Sequence, residues 1–342
     1  MDGSSEFGDI HELLRTSTTP DVRISLRGFS SEAGAKEMGE IVGIWLRILG
    51  ACLNLERLEG VTVAYDYDAA LAEIDRGISV RNPLAATRDE FAVGVAMAVP
   101  VLRDGQPRSH IVVNAGVVHS LKDESDTNHQ FAISILAHEA AHVHDLLMQD
   151  RAFPGVILQR QITYRENVLL GIASRCWEEY AASRLSARFE HPKQLEGLES
   201  LLCGVLENVR TRGNQHIRDY RLHHDLMKLM EQIVGEYGRL MKYTSYLLGH
   251  IGGSEHSFAE ASPKASQMIE AREYFAPTFT KLSACLENMW SSYGHWTGLE
   301  VFDPLKEIAH SFLKTGGVDI QDREGGAAYI HVPFTPETMP FG

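Results

Sequence analysis

Residues 138–142 read His138-Glu139-Ala140-Ala141-His142, the pattern H-E-x-x-H. On a helix, residues four apart share one face, so both imidazoles can reach a single ion. The helical period turns Glu139 about 100° from His138. That sets a carboxylate beside the ion, where it can take a proton from water. The surrounding stretch reads as a helix: Thr127 and Gln130 fit a capping box, and the pattern runs to about Met148. Phe131, Ile135, Val143 and Leu146 define its apolar face, with His138 and His142 at the edge. Partly buried histidines need partners, and a metal is one. The chain has 16 histidines, so a chance H-E-x-x-H is the competing explanation.

A catalytic zinc usually takes three protein ligands and keeps one position open. The pattern H-E-x-x-H-x-x-G-x-x-H would need Gly at 145 and His at 148, but Asp145 and Met148 stand there. A better third ligand lies on a second helix, about Arg165 to Phe189. Leu169, Ile172, Ala173, Cys176, Tyr180 and Ala187 define its apolar face; Glu179 falls within that stripe and Glu178 points about 100° away. An unpaired carboxylate on a buried face is costly, and a metal removes the cost. Glu179 is therefore the expected third ligand; pairing with Arg175 or Arg184 is the alternative. Asp145 lies near the direction of the two histidines. It is an acceptor for a ligand imidazole, a rival third ligand, or a solvated carboxylate. His144 points the other way and is expected on the surface. His223, His224 and Asp225 diverge on their helix and are expected to be solvated or packing residues.

H-E-x-x-H followed on the next helix by a glutamate resembles the gluzincin class of zinc metallopeptidases. Glu179-Tyr180-Ala181-Ala182-Ser183-Arg184-Leu185 is similar to the E-x-x-A-N/D-x-F/L segment of the ImmA/IrrE-like group, with Ser183 where that group usually has Asn or Asp. The likeness covers about residues 90 to 190, including the order strand, active-site helix, glutamate helix. It implies zinc on His138, His142 and Glu179, with Glu139 as general base in peptide-bond hydrolysis. Manganese, cobalt or iron could sit in the same ligands. The tetrahedral oxyanion needs a donor besides the metal. Tyr164, Tyr180, Tyr220, His223 and His224 are candidates, and sequence does not choose among them.

The expected fold class is α+β. A zincin-like domain, 1–192, combines a small mixed sheet with the active-site and glutamate helices. A helical region, 193–315, and an extended C-terminal tail, 316–342, follow. Glu32 to Leu58 has helical periodicity and Val61 to Tyr67 reads as a strand. Phe91 to Leu102 and Ser109 to Val118 are β-rich and flank Arg103-Asp104-Gly105-Gln106, a hairpin signal. Pro154 and Gly155 mark a break. Further on, Leu195 to Val209, Asp219 to Gly249, Ser262 to Tyr293 and Pro304 to Lys314 read as helices, with one β-like run at Ala328 to Phe334.

The composition is that of a globular protein, 44% hydrophobic and 23% charged over 342 residues. A net charge of −14 argues against direct nucleic-acid binding and against anionic membrane. No secretory signal or membrane segment is expected. Cys52, Cys176, Cys203 and Cys285 lack C-x-x-C spacing and read as buried free thiols of a cytoplasmic protein. Two functions are compatible. One is a zinc peptidase with a narrow protein or peptide substrate. The other is a non-catalytic zinc-binding module whose helical region binds a protein partner. Glu139 favours the enzyme, because a dead site has no need of a base. A third idea has the Ala328 to Phe334 run lying in the cleft as an inhibitor.

Overall fold

The computed structural model describes residues 15–79, 84–86, 93–159, 162–189, 191, 193–254, 256–324 and 327–340. The expected strand start at Phe91 and the boundary at Pro192 lie outside them. The chain divides into two compact units, Met1–Arg160 with Leu185–Pro192, and Gln161–Arg184 with Lys193–Gly342. This division runs through the expected first domain, since residues 161–184 cluster with the C-terminal helices.

The first unit contains β1 (Arg23–Arg27), α1 (Glu32–Gly50), β2 (Leu58–Ala64), α2 (Tyr67–Ala72), β3 (Ala96–Arg103), β4 (Gln106–Asn114), the short α3 (Ala115–Val118) and α4 (His129–Ala152). The fold is α+β, as expected. The sheet order is β1-β2-β4-β3. The first two pairings are parallel and β3 runs antiparallel to β4, so the sheet is mixed and β3 is an edge. The Asp-Gly signal forms the hairpin: Asp104 (φ 50°) and Gly105 (φ 76°) take the left-handed conformations that a tight two-residue turn requires. The expected strand at Val61 to Tyr67 stops short. Asp66 accepts from the Ala69 backbone N–H and starts α2, so Tyr67 is helical. Ser109 to Val118 likewise divides, its last four residues forming α3.

Helix α4 packs against β3, β4 and α1. Neighbours on several sides bury Ala132, Ile133, Leu136, Ala137, Ala140, Ala141, Val143 and Leu147, whereas Phe131 stands 38% exposed. Of the apolar face read from Phe131, Ile135, Val143 and Leu146, the last two are buried, while Phe131 is exposed and Ile135 only half-buried; alanines complete the buried surface. The expected capping box is not formed either. Asn128 is the N-cap without a side-chain bond, and Gln130 Nε2 donates to the Phe189 carbonyl, 3.1 Å. At the other end, Arg57 Nη2 meets Asp150 Oδ2 at 2.8 Å and ties α4 to the segment entering β2.

The second unit contains α5 (Tyr164–Ser186), α6 (Gln194–His223), α7 (Leu226–Gly252), α8 (Phe258–Ala261), α9 (Pro263–Glu270), α10 (Ala276–Ser291), α11 (Asp303–Thr315) and a hairpin of β5 (Asp319–Asp322) with β6 (Ala328–His331). Helix α6 runs unbroken through residues 210–218, where a gap was expected. Gly213 is a packing residue there: a Cβ would lie 2.8 Å from Tyr237 Cε2. The break comes at His224, whose φ is 58°, and Asp225 caps α7 by accepting from the Lys228 N–H. The tail is committed within this unit. β6 pairs with β5, and Arg221 Nη2 donates to the carbonyls of Val332 and Pro333. An inhibitory strand would have to give up that pairing.

Helices α5 and α7 approach closely at Gly249, where a Cβ would sit 2.2 Å from the Tyr180 carbonyl oxygen. Backbone cannot yield as a side chain can. Gly249→Ala is expected to cost about 1–3 kcal/mol by overpacking, read as a lower urea midpoint with unchanged slope. Among the described residues no helix is long and apolar enough to cross a membrane.

Candidate metal centre

His138 and His142 stand one turn apart on α4, and their Nε2 atoms face each other at 3.1 Å. The rings are perpendicular, with centroids 4.7 Å apart. His138 is 7% exposed and His142 half-buried. Glu179, the expected third ligand, stands on α5 in the second unit. Two nitrogens at about 2.0–2.1 Å from a tetrahedral zinc would be separated by about 3.3 Å, so the observed spacing fits a shared ion. Nitrogen, nitrogen and carboxylate oxygen are also the donor set of a catalytic zinc. The structure thus brings the two expected histidine ligands together on α4.

Glu139 is 7% exposed. Its Oε2 accepts from the backbone N–H of Ala98 at 2.5 Å. Ala98 lies in β3, the sheet edge, and its N–H points away from β4. Leu102, of the same parity, likewise donates outward, to the Arg76 carbonyl. The edge strand therefore fixes one carboxylate oxygen of Glu139. This donor is a backbone group, so no side-chain pattern could have signalled it. Ala98→Pro would remove it without costing β3 a ladder bond.

Asp145 is buried, 1% exposed, and accepts from Gln149 Nε2 at 2.7 Å. It is not a solvated carboxylate. His144 is not on the surface as expected. It is half-buried, and its Nδ1 accepts from the Asn54 N–H at 2.8 Å. Burial, aided by Arg151, lowers its pKa and favours the neutral ring that this bond needs.

The second helix clarifies which competitors are engaged. Arg184 pairs with Glu287 and lies over the rings of Trp290 and Tyr180. Tyr180 Oη donates to Glu287 Oε2 at 2.7 Å, so this candidate oxyanion donor is committed elsewhere. His223 Nδ1 accepts from the Asp225 N–H at the α6–α7 turn. Of the cysteines, Cys52 is exposed, against expectation; Cys176 is buried, and burial pushes its thiol up to about 12. No protein-family model, curated protein or solved structure matches this chain.

Proposed function

We propose that the chain is a zinc-dependent peptidase that hydrolyses a peptide bond in a narrow protein or peptide substrate. The facing Nε2 atoms of His138 and His142, with Glu139 held beside them by the Ala98 N–H, carry this assignment. His138, His142 and Glu179 would hold the zinc, which when bound supplies Lewis-acid activation of water.

The chain's own groups do the rest. Glu139 takes one proton from the attacking water as the water oxygen bonds to the peptide carbonyl carbon. The same carboxyl then gives that proton to the leaving nitrogen as the C–N bond breaks. Fixing Oε2 on the strand limits the carboxylate to one orientation. The outer edge of β3 offers the Ala96 N–H and carbonyl and the Ala98 carbonyl to an extended substrate, which fits a peptide better than a compact metabolite. Four free cysteines fit a reducing compartment, and the cytoplasm is the proposed location.

The test is cleavage of a quenched-fluorescent peptide library by the full chain, with 1,10-phenanthroline and then added zinc. Chelation is expected to stop cleavage and zinc to restore it. Cleavage indifferent to the chelator would contradict a metal-dependent mechanism.

A further inference from the structure

The outer edge of β3 is open along one half and closed along the other. Ala96, Ala98, Pro100 and Leu102 share the parity that directs backbone groups away from β4. At Pro100 and Leu102 the segment following α2 covers that edge. The Leu102 N–H donates to the Arg76 carbonyl at 2.8 Å, and Arg76 Nε donates to the Pro100 carbonyl at 3.2 Å. Gly77 comes next with φ 65°, and a Cβ there would lie 2.1 Å from the Leu102 carbonyl oxygen. Only glycine lets the backbone lie so close. Asp75 holds the segment in place: its Oδ1 accepts from the Gly77 N–H, and its carbonyl accepts from Arg103 Nη2. The open half of the edge, at Ala96 and Ala98, therefore ends at the Arg76 guanidinium.

That guanidinium is half-buried and has no carboxylate partner among the described residues. Its bond to Pro100 uses Nε, so the two Nη groups are left to donate. Arg103 nearby is held by Glu59 at 2.7 Å instead. Burial lowers the Arg76 pKa, yet a guanidinium stays charged at any working pH. A partly desolvated cation without a counter-ion is costly, and its planar fork matches a carboxylate. Pro100 lies two residues beyond Ala98, the residue that holds Glu139, or about 7 Å along the strand at ~3.4 Å per residue. An extended peptide on the open edge, with its reacting bond beside Glu139, would bring a group about two residues away to Arg76.

Resting on the peptidase function above, we propose that Arg76 binds a carboxylate of the substrate and makes the enzyme select acid-bearing peptides. Two sources offer that chemistry, the peptide's own C-terminus and an Asp or Glu side chain.

The experiment uses three matched fluorogenic peptide pools: neutral and amidated, the same sequences as free acids, and the amidated sequences with one aspartate introduced. Cleavage is measured as kcat/KM with the zinc-loaded full chain, and binding by fluorescence anisotropy with the metal-free full chain. One acid-bearing pool is expected to exceed the neutral pool about 10-fold in both measurements. Preference for the free acids assigns the C-terminus, and preference for the aspartate pool assigns the side chain. Arg76→Gln should bring the ratio close to one. Arg76→Lys, which keeps the charge without the fork, should retain part of it. No acid preference in the wild type would overturn the proposal, and so would a full preference in Arg76→Gln. Acid-selective binding without cleavage of any pool would instead strike the peptidase function and leave the Arg76 site standing.

Discussion

Glu139→Gln is expected to lower kcat for peptide cleavage about 10³-fold, within the range that a general acid–base residue contributes. Zinc content should not change. Glutamine matches glutamate in volume, and its amide oxygen can still accept the Ala98 N–H that now holds Oε2. What the amide lacks is basicity, so it can neither take the proton of water nor return it to the leaving amine. The loss should fall on kcat with KM nearly preserved, because the edge strand and the metal ligands remain in place. Removing a buried carboxylate, 7% exposed, should if anything raise the melting temperature. Substantial activity in this variant would remove Glu139 from the mechanism. Equal loss of zinc and activity would instead make it a structural support of the site.

Glu179→Ala is expected to weaken zinc binding more than about 100-fold. Changes to groups that merely orient a ligand already cost 10–100-fold, and a lost ligand should exceed that. The effect can be read by competition with a fluorescent chelator. Zinc in large excess over its dissociation constant also stabilises the wild type, by about 2.7 kcal/mol at a hundredfold excess. Most of that gain should vanish in Glu179→Ala. Retention of wild-type affinity would show that the third donor lies elsewhere. Asp145, buried on the same helix as the histidines, would then be the next residue to change.

The histidine pair was legible in the sequence because its spacing is periodic. The four-residue spacing of His138 and His142 needs only a helix to place both rings together, and the structure supplies α4. Glu179 stood out as a carboxylate on an apolar stripe, and it lies on the buried helix α5, between Trp177 and Tyr180. The Asp104-Gly105 turn was legible for a local reason as well: both positions take positive φ.

What escaped notice depends on tertiary contacts. The Ala98 N–H has no sequence signature, and Tyr67 changes from strand to helix because Asp66 caps α2. Thr127 and Gln130 match a capping box, yet Gln130 is drawn to the Phe189 carbonyl, a partner 59 positions away. The stretch between Val209 and Asp219 was not read as helix, yet α6 continues through it, and Gly213 is the room that the Tyr237 ring occupies. His144 was assigned to solvent by its angle on the helix, but the Asn54 backbone meets it.

The two facing imidazoles and the Glu179 carboxylate are proposed to form a zinc site. Elemental analysis of protein purified without chelators tests it most directly, with His138→Ala as the control. About one zinc per chain in the wild type and little in His138→Ala is the predicted result. A wild-type chain that carries no zinc and takes none up on addition would contradict it.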